Sequence, residues 1–146
     1  MPFNTTYATN ILNWIIGKTA QSSLPAHSKV FLGLCSNDPE ADNGTFTELS
    51  GGSYGRVLIN QYNQEFPGLM SVSGRAMSNS KQIGFNKATA KWTTAKGFGL
   101  FTAETGGTPF YYAKLKNPVD TDPGAVFLFD PGELKIAFQT TDVDIE

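Results

Sequence analysis

Charge is scarce in this chain. Only 16% of its 146 residues are Asp, Glu, Lys or Arg, against roughly 25% in ordinary soluble domains. The 11 basic and 13 acidic side chains leave a net charge of −2. No basic stripe is available to neutralise a phosphate backbone, so nucleic-acid binding is not expected. Histidine and cysteine are scarcer still, with His27 and Cys35 the single representatives. A structural zinc site, which needs several such ligands, is excluded. A Cys–His dyad is disfavoured, because eight residues of extended chain span about 25 Å at about 3.3 Å per residue. A lone cysteine cannot form an internal disulfide and leaves the redox compartment open. No apolar run approaches the roughly 20 residues that a bilayer span requires. The N-terminus lacks a basic n-region followed by a clean apolar stretch, so it does not read as a secretory signal. The expectation is a soluble protein made in the cytosol, with no membrane insertion.

What is present is apolar and β-forming. Apolar residues make up 40% of the chain and aromatic residues 12%, alongside 15 glycines. At this length one domain is expected, burying roughly 68–70% of its unfolded surface. The spacing predicts one helix, over residues 3–17. Tyr7, Ile11 and Ile15 lie four apart, with Ala8, Leu12 and Ile16 beside them, giving one broad apolar face. Thr5 or Thr6 is the expected N-cap, and Gly17 with Lys18 the expected stop. That face has two possible destinations, the chain's own core or a partner subunit.

From residue 29 to 139 the period changes to two. Strands are expected at Lys29–Cys35, Tyr54–Asn60, Gln82–Phe85, Gly97–Thr102, Pro109–Leu115, Ala125–Asp130 and Glu133–Gln139. Turn signals lie between them, among them AETGGT and Asp130-Pro131-Gly132. Short strands at this spacing indicate a mainly β fold, an antiparallel β-sandwich of jelly-roll-like type with one short N-terminal α-helix. Residues 61–80 break the pattern and read as a long irregular insertion within a single domain, 1–146. Phe66, Leu69, Met70 and Met77 within it should tuck onto the sandwich or onto a neighbour.

The stretch SNDPEADNGTFTELSGGSYGR, Ser36 to Arg56, concentrates acids and amides. An EF-type calcium loop wants oxygen ligands at its first, third and fifth places, glycine at the sixth and glutamate at the twelfth. With Gly44 sixth, Pro39 is first and Ser50 twelfth. With Asp38 first, Asn43 is sixth and Leu49 twelfth. Neither frame holds. The remaining metal candidate is an irregular calcium site from Asp38, Asp42, Asn43 and Glu48, and no other metal or cofactor is expected. Arg56 is a candidate to pin the loop to an acid. Gly17-Lys18-Thr19 ends a helix rather than opening one, so it is not a phosphate loop. Most other acids sit in turns or near the C-terminus, where turn chemistry accounts for them. No enzymatic activity is expected. The run Phe110-Tyr111-Tyr112 can be a sugar-stacking platform. In a strand, however, Phe110 and Tyr112 share a face, and those two are expected to enter the core.

The order of these segments is distinctive. A short helix leads to VFLGLCSNDPEADNGTFTELSGGSYGRV, then IGFNKATAKWTTAKGFGLFTAETGGTPFYYAKL, then DPGAVFLFDPGELKIAF. The sequence resembles a family of small bacteriophage structural proteins, usually labelled tail-fibre proteins, with similar ones labelled head-decorating or minor virion proteins. The likeness is loose over 3–17 and close over 29–60 and 81–138. Its most specific parts are Gly51, Gly52, Tyr54 and Arg56, the run from Ile83 to Trp92, and the late Pro-Gly strand pair. The chain departs from the pattern in the length of 61–80 and at Thr93, where glycine is usual. The resemblance implies a non-enzymatic structural component of a phage virion, attached to the particle surface as a tail-fibre or fibre-like protein. Capsid decoration is the alternative, and a carbohydrate-binding module using Tyr111 and Trp92 is a more distant one. It further implies other virion proteins of capsid or tail as partners, homo-oligomerisation with trimers common, and a possible host-surface receptor. Assembly would occur in the host cytoplasm, with residence in the virion. Ile11, Trp14 and Ile15 on the helix, with Phe66, Leu69 and Met70 in the insertion, are the candidate partner contacts.

Overall fold

The computed structural model describes residues 3–18, 29–61, 68–74 and 76–137. Among these the chain is mainly β, with one helix, α1 (Thr5–Ile15), and nine strands. The strands are β1 (Lys29–Cys35), β2 (Val57–Gln61), β3 (Met70–Ser73), β4 (Ala76–Asn79) and β5 (Ile83–Gly84), followed by β6 (Trp92–Phe101), β7 (Tyr111–Thr121), β8 (Leu128–Phe129) and β9 (Lys135–Ala137). They form three antiparallel sheets of order β2-β1-β6-β7, β3-β4-β9 and β5-β8, in a sandwich-like arrangement.

All three sheets feed one core. Leu32, Leu34, Ile59, Trp92, Phe98 and Leu100 of the large sheet meet Ile83, Phe129 and Ile136 of the two smaller ones. The opposite face of the large sheet is also covered. Phe31, Cys35 and Phe101 are buried yet lie outside that cluster. This explains the unbroken apolar run of β1, since a strand buried on both faces needs no polar alternation. Gly33 pairs with Gly99 across β1 and β6. A Cβ on Gly99 would lie 2.8 Å from the Phe46 ring, and one on Gly97 2.6 Å from Pro39. The small residues of this face therefore seat the 36–56 loop directly on the sheet.

Two elements differ from the sequence expectation. Residues 61–80 are not irregular throughout, because Met70–Ser73 and Ala76–Asn79 pair as a hairpin that β9 joins as third strand. The turn at Asp130–Glu133 forms, with the Glu133 amide donating to the Asp130 carbonyl at 2.9 Å. Its flanking strands do not pair with each other. β8 pairs with β5 and β9 with β4, so the turn carries the chain from one sheet to another. Asn79 organises that passage while almost wholly buried. Its Nδ2 donates to the Lys81 carbonyl at 2.9 Å and the Asp130 carbonyl at 2.8 Å, and its Oδ1 accepts from the Leu134 amide at 3.0 Å.

Helix α1 is capped by Asn4 rather than by Thr5 or Thr6. The Asn4 Oδ1 accepts from the Thr6 amide at 2.9 Å, and the Asn4 amide donates to the Phe110 carbonyl at 2.9 Å. Asparagine is among the best N-caps, and here the same residue ties the helix to the sheet. The helix stops as expected. Gly17 has φ +77°, and the Lys18 amide reaches back to the Asn13 carbonyl at 2.8 Å, a Schellman closure.

Candidate functional site

The acid-rich loop is a packed structure rather than a solvated turn. Asn37 holds its two limbs together. Its Nδ2 donates to the Thr45 carbonyl at 2.7 Å and to Asp42 Oδ2 at 2.8 Å, while its Oδ1 accepts from the Thr47 amide at 3.0 Å. Asp38 Oδ1 accepts from the amides of Glu40 and Ala41. Asn43 and Gly44 turn the chain through positive φ. The loop then returns beside β1, with the Leu49 amide donating to the Leu34 carbonyl at 3.0 Å.

Glu48 and Arg56 lock this return. Nε and Nη2 of Arg56 donate to the two carboxylate oxygens of Glu48, both at 2.8 Å. Nη1 donates to the carbonyls of Ala103 and Gly106, at 2.9 and 2.8 Å. The guanidinium lies over the Phe101 ring, 3.4 Å from its centroid, and the arginine side chain is 4% exposed. Tyr54 completes the cluster, its hydroxyl donating to Glu48 Oε2 at 2.8 Å and accepting from the Leu34 amide at 2.9 Å. Burial, then the hydrogen bond to the Glu48 carboxylate, raises the Tyr54 pKa well above its usual value. The expectation that Arg56 pins the loop to an acid is met, and the same side chain also fastens the β6–β7 turn.

The four calcium candidates thus have different roles in the loop. Glu48 belongs to the arginine lock, Asp38 caps a turn, Asp42 holds Asn37, and Asn43 is an exposed turn residue. No group of three or more His, Cys, Asp or Glu side chains among the described residues could hold a metal ion. His27 lies outside the described residues. Burial, then the nearby carboxylates of Asp38, Glu48 and Asp42, pushes the Cys35 thiol up to about 12, against a smaller lowering influence of the Asn37 backbone.

The aromatic expectation is met only in part. Tyr111 is the buried member, while Phe110 and Tyr112 are half-buried, with Phe110 packed against the same core. Phe3 bridges to Tyr111 and packs against its ring edge-on at 5.0 Å, closing the start of β7 from outside. Trp92 is also buried, its Nε1 donating to the Gly52 carbonyl at 2.8 Å. Tyr111 and Trp92 are thus core side chains and do not form a surface platform.

Helix α1 buries none of its residues fully. Its first turn docks through Tyr7, whose ring lies 5.2 Å from that of Phe110. Its last turns stand away from the sheets. Leu12, Trp14, Ile15 and Ile16 are 53%, 41%, 64% and 66% exposed, and Ile11 is half-buried. Four of the eight large exposed apolar side chains of the described structure thus fall within five consecutive residues. Leu69 and Met70, by contrast, pack against the chain's own core, and Phe66 lies outside the described residues. Among the described residues no helix is long and apolar enough to cross a membrane.

No curated protein matches the chain. The family model described as podophage GP4 fiber I protein gp80 matches residues 2–137, from two residues before the α1 cap to the end of β9. The matched span includes the arginine lock, the 61–80 hairpin and the exposed helix alike, so the chain belongs to this family of phage fibre proteins, structural virion components of the tail-fibre kind.

Proposed function

We propose that the chain is a non-enzymatic component of a phage tail fibre that attaches to another virion chain through the exposed apolar end of α1. The carrying observation is the cluster Leu12, Trp14, Ile15 and Ile16 on a helix otherwise anchored at its first turn. Covering those side chains from their present exposure is worth on the order of 5 kcal/mol at the usual 1.5–3 kcal/mol per large apolar side chain. Residues 3–17 carry no Asp, Glu, Lys or Arg, so docking would desolvate no charge. Membership of a fibre family favours the fibre over capsid decoration. The non-enzymatic reading rests on where the reactive groups are held. The Cys35 thiol is buried and kept protonated, and Glu48 is bound on both oxygens.

Particles assembled with the variant L12S/I15S/I16S test the reading. The isolated variant should melt like the parent, yet be absent from purified particles, with adsorption lost and heads intact. Incorporation at parental copy number would overturn attachment through α1. Stable adsorption with fragile heads would overturn the fibre assignment in favour of decoration. Light scattering on the soluble protein distinguishes a self-contact, in which the parent is an oligomer and the variant a monomer.

A further inference from the structure

A strand at the margin of a sheet presents unpaired backbone groups, and proteins blunt such edges with charge, proline, bulges or cover. Most edges of this molecule are blunted. β7 carries Lys114, Lys116, Pro118 and Asp120, and its pairing with β6 shifts register twice. β2 shifts register against β1, and its Ile59 carbonyl accepts from the Leu69 amide at 3.0 Å. β9 carries Lys135, and β5 and β8 are two residues each. β3 is the exception. It forms the margin of the β3-β4-β9 sheet, reads MSVS with neither charge nor proline, and pairs with β4 in unbroken register. Val72 in its middle is 76% exposed, the highest value of any large apolar side chain described. Its cross-strand partner Met77 packs against the core, so the face that Val72 shares runs out past the core's edge.

The direction of the backbone groups follows from the start of the strand. The Leu69 carbonyl accepts from the Ser80 amide at 2.9 Å, which turns the next amide, that of Met70, away from β4. Backbone groups alternate along a strand, so Ser71 and Ser73 face β4 while Val72 directs its N–H and C=O outward. We propose that β3 pairs antiparallel with β3 of a second copy of this chain, Val72 opposite Val72 on a twofold axis. In that register the two Val72 residues exchange both backbone hydrogen bonds, Ser71 lies opposite Ser73, and no charged side chain of the strand meets a like charge. Directly opposed side chains come within about 5 Å on one face, so each exposed valine covers the other. A second copy fits because it brings the same unpaired edge, and the twofold pairing closes both without leaving a further template. The two three-stranded sheets become one continuous sheet. A strand of 4 residues buries less than the roughly 1,200 Å² of a standard interface, so the contact is weak in solution and effective where copies stand side by side. Leu12, Trp14, Ile15 and Ile16 take no part, so the pairing does not depend on attachment through α1.

Analytical ultracentrifugation of full-length L12S/I15S/I16S, in which contacts through α1 are removed, tests the pairing. At hundreds of micromolar, monomer and dimer should be in exchange; at low micromolar the monomer alone should remain. Adding V72P should keep the protein monomeric throughout with an unchanged circular dichroism spectrum, because the amide it removes makes no bond to β4. V72K should do the same through like charges on the axis. In hydrogen exchange of the parent, the Val72 amide should be protected at high concentration and released on dilution. Ser71 and Ser73, bonded to β4, should stay protected at both. V72C should oxidise to a cross-linked dimer, since Cα atoms of a hydrogen-bonded pair lie about 5.5 Å apart, within disulfide range. S71C should not, because Ser71 faces Ser73. The proposal is overturned if the protein stays monomeric at hundreds of micromolar, if the Val72 amide exchanges freely at every concentration, if V72P associates as its parent does, or if S71C cross-links as readily as V72C. Loss of incorporation in L12S/I15S/I16S with the β3 dimer retained would bear on attachment alone.

Discussion

Arg56 uses all three nitrogens of its guanidinium. Two of its nitrogens grip Glu48, the third holds two backbone carbonyls of the β6–β7 turn, and its face rests on Phe101. Lysine cannot reproduce that planar fork. Replacing one partner leaves the other buried and uncompensated, a loss of about 3–5 kcal/mol for such pairs. E48A should therefore lower unfolding stability by about that amount, since it leaves the nearly buried Arg56 charge unpaired, and R56A by somewhat less, since the Glu48 it leaves behind is the more exposed partner. The double variant should lose clearly less than the two single losses added together, because the charges fall as a unit. Urea unfolding of the four proteins measures this, and strict additivity would show that the two side chains act independently. The glycine pair nearby separates in the same manner. Gly51 faces open space, whereas a Cβ on Gly52 would meet the Ala90 carbonyl and the Trp92 ring at 2.9 Å. One glycine satisfies the backbone alone, and the other also makes room for the tryptophan that donates to it.

At the scale of elements, what could be read from the sequence depended on how local the information was. β1 was readable from its own seven apolar-rich residues, and α1 from its period and from Gly17. The β3–β4 hairpin was not, because MSVS and AMSN are only four residues each, too short for a period to stand out, and their partner β9 lies more than fifty residues downstream. The same holds for the helix face. Periodicity identified the apolar stripe, but only the path of the chain decides that Tyr7 reaches Phe110 while Ile15 and Ile16 face outward. For the candidate sites, Asp38 and Asp42 were legible as turn residues. Glu48 was not, since its role is set by Arg56 and by a turn almost fifty residues further on. Asn79 is the residue through which that distant pairing is enforced. N79L, close in size, would strand the Leu134 amide and the Lys81 carbonyl and leave the Asp130 carbonyl with the Glu133 amide alone. Each buried polar group left unsatisfied costs about 1–3 kcal/mol, so a loss of at least about 2 kcal/mol is expected. Hydrogen exchange should quicken in the β4–β9 ladder well before the β1–β6 ladder, and equal protection in both would contradict this role.

The molecule as a whole is built in two layers of cover over its large sheet, one face on the shared core and the other beneath the acidic loop. Both layers trap groups that titrate in the alkaline range. The Cys35 thiol, beneath the loop, is raised from 9.0 to about 12. Tyr54 is raised from 10.0 by burial and the Glu48 hydrogen bond, Tyr7 by burial, and Tyr111 by burial and then the Glu40 charge. In each case the folded chain keeps a proton that the unfolded chain releases. Stability contributed by these groups is complete below pH 9 and is lost as pH rises through the unfolded values toward the folded ones. The slope should begin near pH 9, at about 1.4 kcal/mol per pH unit for one proton, and steepen above about pH 10 as the tyrosines join. Urea midpoints measured from pH 8 to 12 should follow this course. C35A should remove the first part alone, moving the onset to about pH 10 while leaving the tyrosine part in place. A parental midpoint constant up to pH 11 would mean that the thiol and phenols ionise as freely in the fold as outside it, and that the acidic loop does not seal the face it covers.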